Sequence, residues 1–116
     1  MYTTNVKSIG NEAQAFSEEK MVILFGEQAP SELVDYCYII EVNELTDEIT
    51  EKNKVIIDNQ EFAITKVGSA VNKNLAELGH ITIKFDGSEV AEQSGTLYLE
   101  DANLPTFEVG TVIKIN

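Results

Sequence analysis

Arginine and tryptophan are absent from this sequence of 116 residues, and cysteine and histidine occur once each. Without arginine there are none of the planar bidentate forks that usually clamp phosphates and carboxylates. Eight lysines stand against twenty acids, a net charge of −12. That balance excludes a general nucleic-acid binder, because phosphate backbones demand cationic neutralisation. The single cysteine, Cys37, excludes an intrachain disulfide and any zinc site of the paired-cysteine kind. The single histidine, His80, excludes a two-histidine metal motif. Glycines are scattered singly, so no glycine-rich phosphate loop is present, and neither a Gly-x-Ser-x-Gly elbow nor a calcium-loop pattern of aspartates occurs. No metal and no cofactor are expected. Apolar runs are short, none approaching the roughly 18 residues that a membrane span needs. Met1 to Gly10 lacks the basic-then-apolar layout of a signal peptide. With no glycosylation sequon and an unpaired thiol, a cytoplasmic chain not embedded in a membrane is the expectation.

What is present is the balance of a folded protein, 43% hydrophobic and 24% charged residues. The length suits one domain, 1–116, burying roughly 65% of the surface of its unfolded chain. Ile81-Thr82-Ile83-Lys84-Phe85 alternates with the period of a strand and stops at the turn pair Asp86-Gly87. Met21 to Phe25, Tyr36 to Val42, Val55 to Ile57, Phe62 to Val67, Gly95 to Leu99 and Val112 to Ile115 carry the same signal. Asp58-Asn59-Gln60-Glu61 is short enough for a hairpin connection. Helical signal is sparse: Ser69 to Leu78, capped by Ser69 and ended by Gly79, with shorter turns over Asn11 to Glu19 and Ser31 to Asp35. The fold class expected is mainly β, a small barrel or sandwich with one or two short helices.

Glu41 to Lys54 holds five acids and two lysines, and is expected to be a solvated loop or surface element, the alternative being an acidic docking surface. His80 opens the Ile81 strand. A half-exposed imidazole there can carry a phosphoryl group or relay a proton, whereas the structural alternative is a hydrogen-bonded histidine at a strand start. Cys37 sits in Tyr36-Cys37-Tyr38-Ile39-Ile40, with no adjacent cation to stabilise a thiolate, and is expected to be a buried, inert thiol. An enzyme built on Cys37 or on a carboxylate lacks any acid, base and orienter at readable spacing.

Several segments resemble one family in order along nearly the whole chain. They are Ala29-Pro30-Ser31-Glu32-Leu33 with Tyr36-Cys37-Tyr38-Ile39; Val67-Gly68-Ser69 with Asn74 through Thr82 and Lys84 to Gly87; Gly95-Thr96-Leu97; and Gly110 to Ile115. The family is the glucitol/sorbitol-specific IIA component of the bacterial phosphoenolpyruvate-dependent sugar phosphotransferase system. The resemblance implies a cytoplasmic, mainly-β phosphotransferase component that takes a phosphoryl group from HPr and passes it to a IIB/IIC sugar permease. It also implies an acceptor histidine directly after the Tyr-Cys-aromatic-Ile sequence, where this chain has Ile40. Isoleucine has no nucleophilic atom, so transfer is expected to be impaired, or relocated with His80 as the candidate acceptor. The alternative function is a non-catalytic regulatory or binding module on the same scaffold, with Ile40 as an apolar centre if that residue is exposed.

Overall fold

The computed structural model describes residues 1–116. Eight strands close into a barrel: β1 (Tyr2–Ile9), β2 (Met21–Gly26), β3 (Tyr38–Ile40), β4 (Lys54–Ile57), β5 (Gln60–Val67), β6 (Ile81–Lys84), β7 (Thr96–Leu99) and β8 (Val112–Ile115). Around the wall the order is β1-β3-β2-β6-β7-β5-β4-β8, and β8 pairs back onto β1. Of the two architectures expected, the barrel is the one formed. Closure leaves no open sheet edge, which is the usual solution for a small all-β chain. Most pairings are antiparallel, but β2–β3 and β6–β7 are parallel, and each requires a long connection.

Period-2 alternation decides which side chains fill the interior. Tyr2, Val6, Val22, Leu24, Ile40, Val55, Ile57, Phe62, Ile64, Ile81, Ile83, Leu97, Leu99, Ile113 and Ile115 point inward and form one core cluster. The single α-helix, α1 (Val71–Leu78), adds Val71 and Leu75, four residues apart and so on one helical face. Ile49 does the same for the acidic segment: most of the loop after β3 stays solvated while Ile49, with partly buried Leu45, anchors it to the core. Glu41 to Lys54 is therefore the surface loop expected, with strand structure only from Lys54 onward.

Two local expectations need correction, and one strand was not expected. The run from Tyr36 to Val42 is strand only over Tyr38–Ile40, because Val34–Tyr36 winds into a 3-10 turn after Pro30. Bonds from the Tyr36 N–H to the Leu33 carbonyl and from the Cys37 N–H to the Val34 carbonyl hold that turn, which follows a turn closed on the Pro30 carbonyl. Ser69 does not cap α1: Ala70 occupies the cap position with no side-chain hydrogen bond. The amino-terminal segment, read only as excluding a leader, is an eight-residue strand with a bulge between Val6 and Ser8. Gly79 ends α1 as expected, at φ +65° with its N–H bonded to the Leu75 carbonyl at 3.0 Å.

On the outer wall, the segment from Glu27 to Tyr36 folds across β2 and β3 and covers Phe25, Cys37 and Ile39, packed with Ile23, Ala29 and Val34. This second apolar layer builds the shelf on which the histidine rests.

Candidate functional site

His80 is positioned by the end of α1 and the start of β6. Gly79 turns the chain in the left-handed conformation, and a Cβ there would lie 3.2 Å from the Gly26 nitrogen. A Cβ on Gly26 would lie 2.7 Å from the Leu78 carbonyl oxygen, so backbone meets backbone at this crossing and only glycine fits both places. The crossing lays the His80 ring over β2. The imidazole stacks on Phe25, centroids 4.0 Å apart and planes 19° from parallel. Nδ1 lies 3.2 Å from the Leu24 carbonyl oxygen. A carbonyl only accepts, so in the neutral ring Nδ1 carries the proton and Nε2 the lone pair. The ring is thus held on its face and at one nitrogen, while the residue stays half-buried rather than enclosed.

A polar cavity of about 500 Å³ opens beside it on the outer face of β6 and β7. With Ile81 and Ile83 turned inward, His80, Thr82 and Lys84 share the outer face of β6 and all line the cavity. Thr96 and Tyr98 line it from β7, Asn74 from α1, and Asp86, Ser88, Glu92 and Gln93 from the connection to β7. That connection is tied down: the Tyr98 hydroxyl accepts the Gln93 N–H at 3.0 Å, and the Ser88 carbonyl accepts the Thr65 hydroxyl at 2.6 Å. Lys84 Nζ sits 3.6 Å from Asp86 Oδ2. No group of three or more His, Cys, Asp or Glu side chains is placed to hold a metal ion. The arrangement offers a fixed imidazole nucleophile, a set of neutral hydroxyl and amide donors, and one ammonium.

Ile40 and His80 do not share a surface. Ile40 is 0% exposed, its side chain inside the barrel and its backbone paired with Val6 and Gly26. His80 stacks on an outward residue of β2 and precedes the inward Ile81. The two side chains therefore lie on opposite faces of the barrel wall, on strands separated by β2. Burial also removes the apolar docking patch that an exposed Ile40 would have provided. Strict alternation over Tyr36 to Val42 would put Tyr36 and Val42 on the face of Ile40, but both are exposed, because the strand is too short to carry the alternation to either of them.

Cys37 is buried as expected. Its Sγ donates to the Leu33 carbonyl at 3.2 Å, and burial pushes the thiol pKa up, away from thiolate chemistry. Lys84, Thr82 and Asp86 are residues that motif reasoning missed. The signal for the first two was present, since strand alternation counted from His80 selects them.

A model of the PTS system glucitol/sorbitol-specific IIA component family matches residues 1–114. Proteins described as PTS system glucitol/sorbitol-specific EIIA components from Shigella flexneri and Escherichia coli (strain K12) are each 33% identical over 114 residues, covering 98% of this chain and 93% of the relative. The crystal structure of a PTS system IIA component from Enterococcus faecalis V583 aligns with a TM-score of 0.85 at 32% identity, covering 97% of this chain and 98% of the other. No helix here is long and apolar enough to cross a membrane.

Proposed function

This chain belongs to the glucitol/sorbitol-specific IIA family of the sugar phosphotransferase system, and from that premise we propose that it carries a phosphoryl group on Nε2 of His80 between HPr and a IIB/IIC permease. A phosphoryl-carrier role is general for the family. The observation that carries the assignment to this residue is the Nδ1–Leu24 contact of 3.2 Å, which leaves Nε2 as the free nucleophile of the only histidine in the chain. A phosphohistidine formed on this protein has one address.

The step is an exchange between two imidazoles. Nε2 attacks phosphorus as the donor's N–P bond breaks and its electron pair returns to the leaving nitrogen. The Nδ1 proton stays against the Leu24 carbonyl, and a donor ring protonated on its other nitrogen leaves as neutral imidazole, so no proton has to move and the positive ring offsets part of the phosphoryl charge. The Phe25 face keeps the ring from turning away, which supports in-line approach by two successive partners. Exposed Leu78 and Val42 beside Gly79 give those partners an apolar contact, and the acidic surface suits basic ones.

The test is incubation with phosphoenolpyruvate, enzyme I and HPr, followed by intact-mass measurement of wild type and His80→Ala. A phosphoryl adduct on wild type alone is the expected outcome. An adduct that persists in His80→Ala, or none on wild type, would refute the assignment.

A further inference from the structure

The cavity beside His80 contains one ammonium, that of Lys84, and two carboxylates, those of Asp86 and Glu92. A bound phosphoryl group adds about two further negative charges at neutral pH. In a chain without arginine and with net charge −12, that charge needs a local cation. Resting on the His80 reading above, we propose that Lys84 is a catalytic residue whose ammonium leaves Asp86 to neutralise the phosphoryl group during transfer.

Two of the three partners are fixed. The imidazole is held by its Nδ1 contact with Leu24 and its stacking on Phe25. Asp86 is pinned as well: its Oδ1 accepts the Ser88 N–H at 3.0 Å, and Ser88 is itself bonded through its carbonyl to Thr65. Lys84 is the mobile member. Its pair with Asp86 spans 3.6 Å between side chains that are 33% and 31% exposed. At that separation the ammonium is beyond hydrogen-bond distance of the carboxylate, so it is not locked in place.

Reach makes the two positions exclusive. Residues 80 and 84 are four apart on one face of a strand, about 13 Å between their Cα atoms. Both side chains line the same cavity, and the flexible four-carbon stem of lysine lets its ammonium sweep across it. The ammonium meets the phosphoryl oxygens only by leaning along β6 toward His80, which takes it away from Asp86 on the other side. Asp86 thus parks the cation in the empty carrier, and the incoming charge draws it across. As the Nε2–P bond forms and the donor's N–P bond breaks, Lys84 stays protonated and stabilises the charge spread over the three equatorial oxygens.

The experiment follows transfer to wild type, Lys84→Gln, Lys84→Arg and Asp86→Asn by quench and intact mass. Two donors are compared, phospho-HPr and the small molecule phosphoramidate, and thermal unfolding shows that each variant is folded. Lys84→Gln should slow labelling about 100-fold, the loss typical of one oxyanion-stabilising group. The slowing should be the same with phosphoramidate, which a role confined to docking HPr would not produce. Lys84→Arg should restore most of the rate, and Asp86→Asn should accelerate it. Labelling of Lys84→Gln at the wild-type rate, a defect seen only with HPr, or a slowed Asp86→Asn overturns the inference while leaving His80 as acceptor. A wild type that takes no label from either donor removes the His80 reading and this inference together.

Discussion

Ile40→His puts an imidazole back where the family resemblance places the acceptor, and the structure predicts that the protein pays for it in stability without gaining a site. The native side chain is 0% exposed and belongs to the main core cluster. Removing a fully buried isoleucine forfeits about 1.5–3 kcal/mol of transfer free energy. An imidazole left inside without partners costs roughly another 1–3 kcal/mol. Taken together the loss is about 4 kcal/mol, a large fraction of the stability of a typical domain. For a chain of this size it lowers Tm by about 15 °C. Urea titration followed by circular dichroism on wild type, Ile40→His and Ile40→Val measures it, the valine variant serving as a mild truncation. The histidine variant should also take no second phosphoryl group, because its imidazole faces the core rather than the His80 cavity. A loss below about 1 kcal/mol, within the range of surface substitutions, or a doubly phosphorylated Ile40→His, would refute the placement of position 40 inside the wall.

Other outcomes follow from single contacts. Cys37 is expected to resist iodoacetamide in the native state near pH 8 and to react quickly once urea exposes it, as peptide mapping of the alkylated residue would show. Its folded pKa is raised above the value of 9.0 for a free thiol, so its contribution to stability is complete below that pH and fades as pH climbs toward the folded pKa. The Tyr2 hydroxyl is buried near Thr4 and the Asn43 backbone without hydrogen-bond geometry to either, so Tyr2→Phe should leave stability unchanged or raise it by up to about 1 kcal/mol in chemical denaturation. Gly26→Ala should cost about 2–3 kcal/mol and displace the His80 ring signals in NMR, since its Cβ would press on the Leu78 carbonyl and Val42. A Gly26→Ala protein with wild-type stability and unmoved ring signals would contradict the packing described for that crossing.

Strands were readable where alternation and turn residues agreed. Ile81 to Lys84 pairs as its pattern suggests, and Asp58-Asn59 joins β4 to β5 with Ile57 facing Gln60. What the pattern could not show is closure. β1 joins β3 and β8, and β8 lies more than a hundred residues along the chain, so only the summed burial of many inward side chains selects that pairing. Tyr36 to Val42 misled for a local reason: a largely apolar run looks like one long strand, but the 3-10 turn Val34–Tyr36 takes its first residue and pairing covers only Tyr38–Ile40. The site divided in the same way. His80 stood out as the lone imidazole, and its outer-face neighbours Thr82 and Lys84 follow from the same period of two. Its Leu24 partner lies 56 residues away, and Phe25 reaches it only through a glycine crossing, so no spacing rule points to either.

Long-range 15N–1H and 31P spectra of the His80 imidazole, recorded before and after transfer from phospho-HPr, read out which nitrogen carries the proton and which the phosphorus. An Nδ1-protonated ring in the resting protein and phosphorus bonded to Nε2 afterwards are the expected results. A resting ring protonated on Nε2, phosphorus on Nδ1, or an imidazole spectrum unchanged by the donor would contradict Nε2 of His80 as the acceptor.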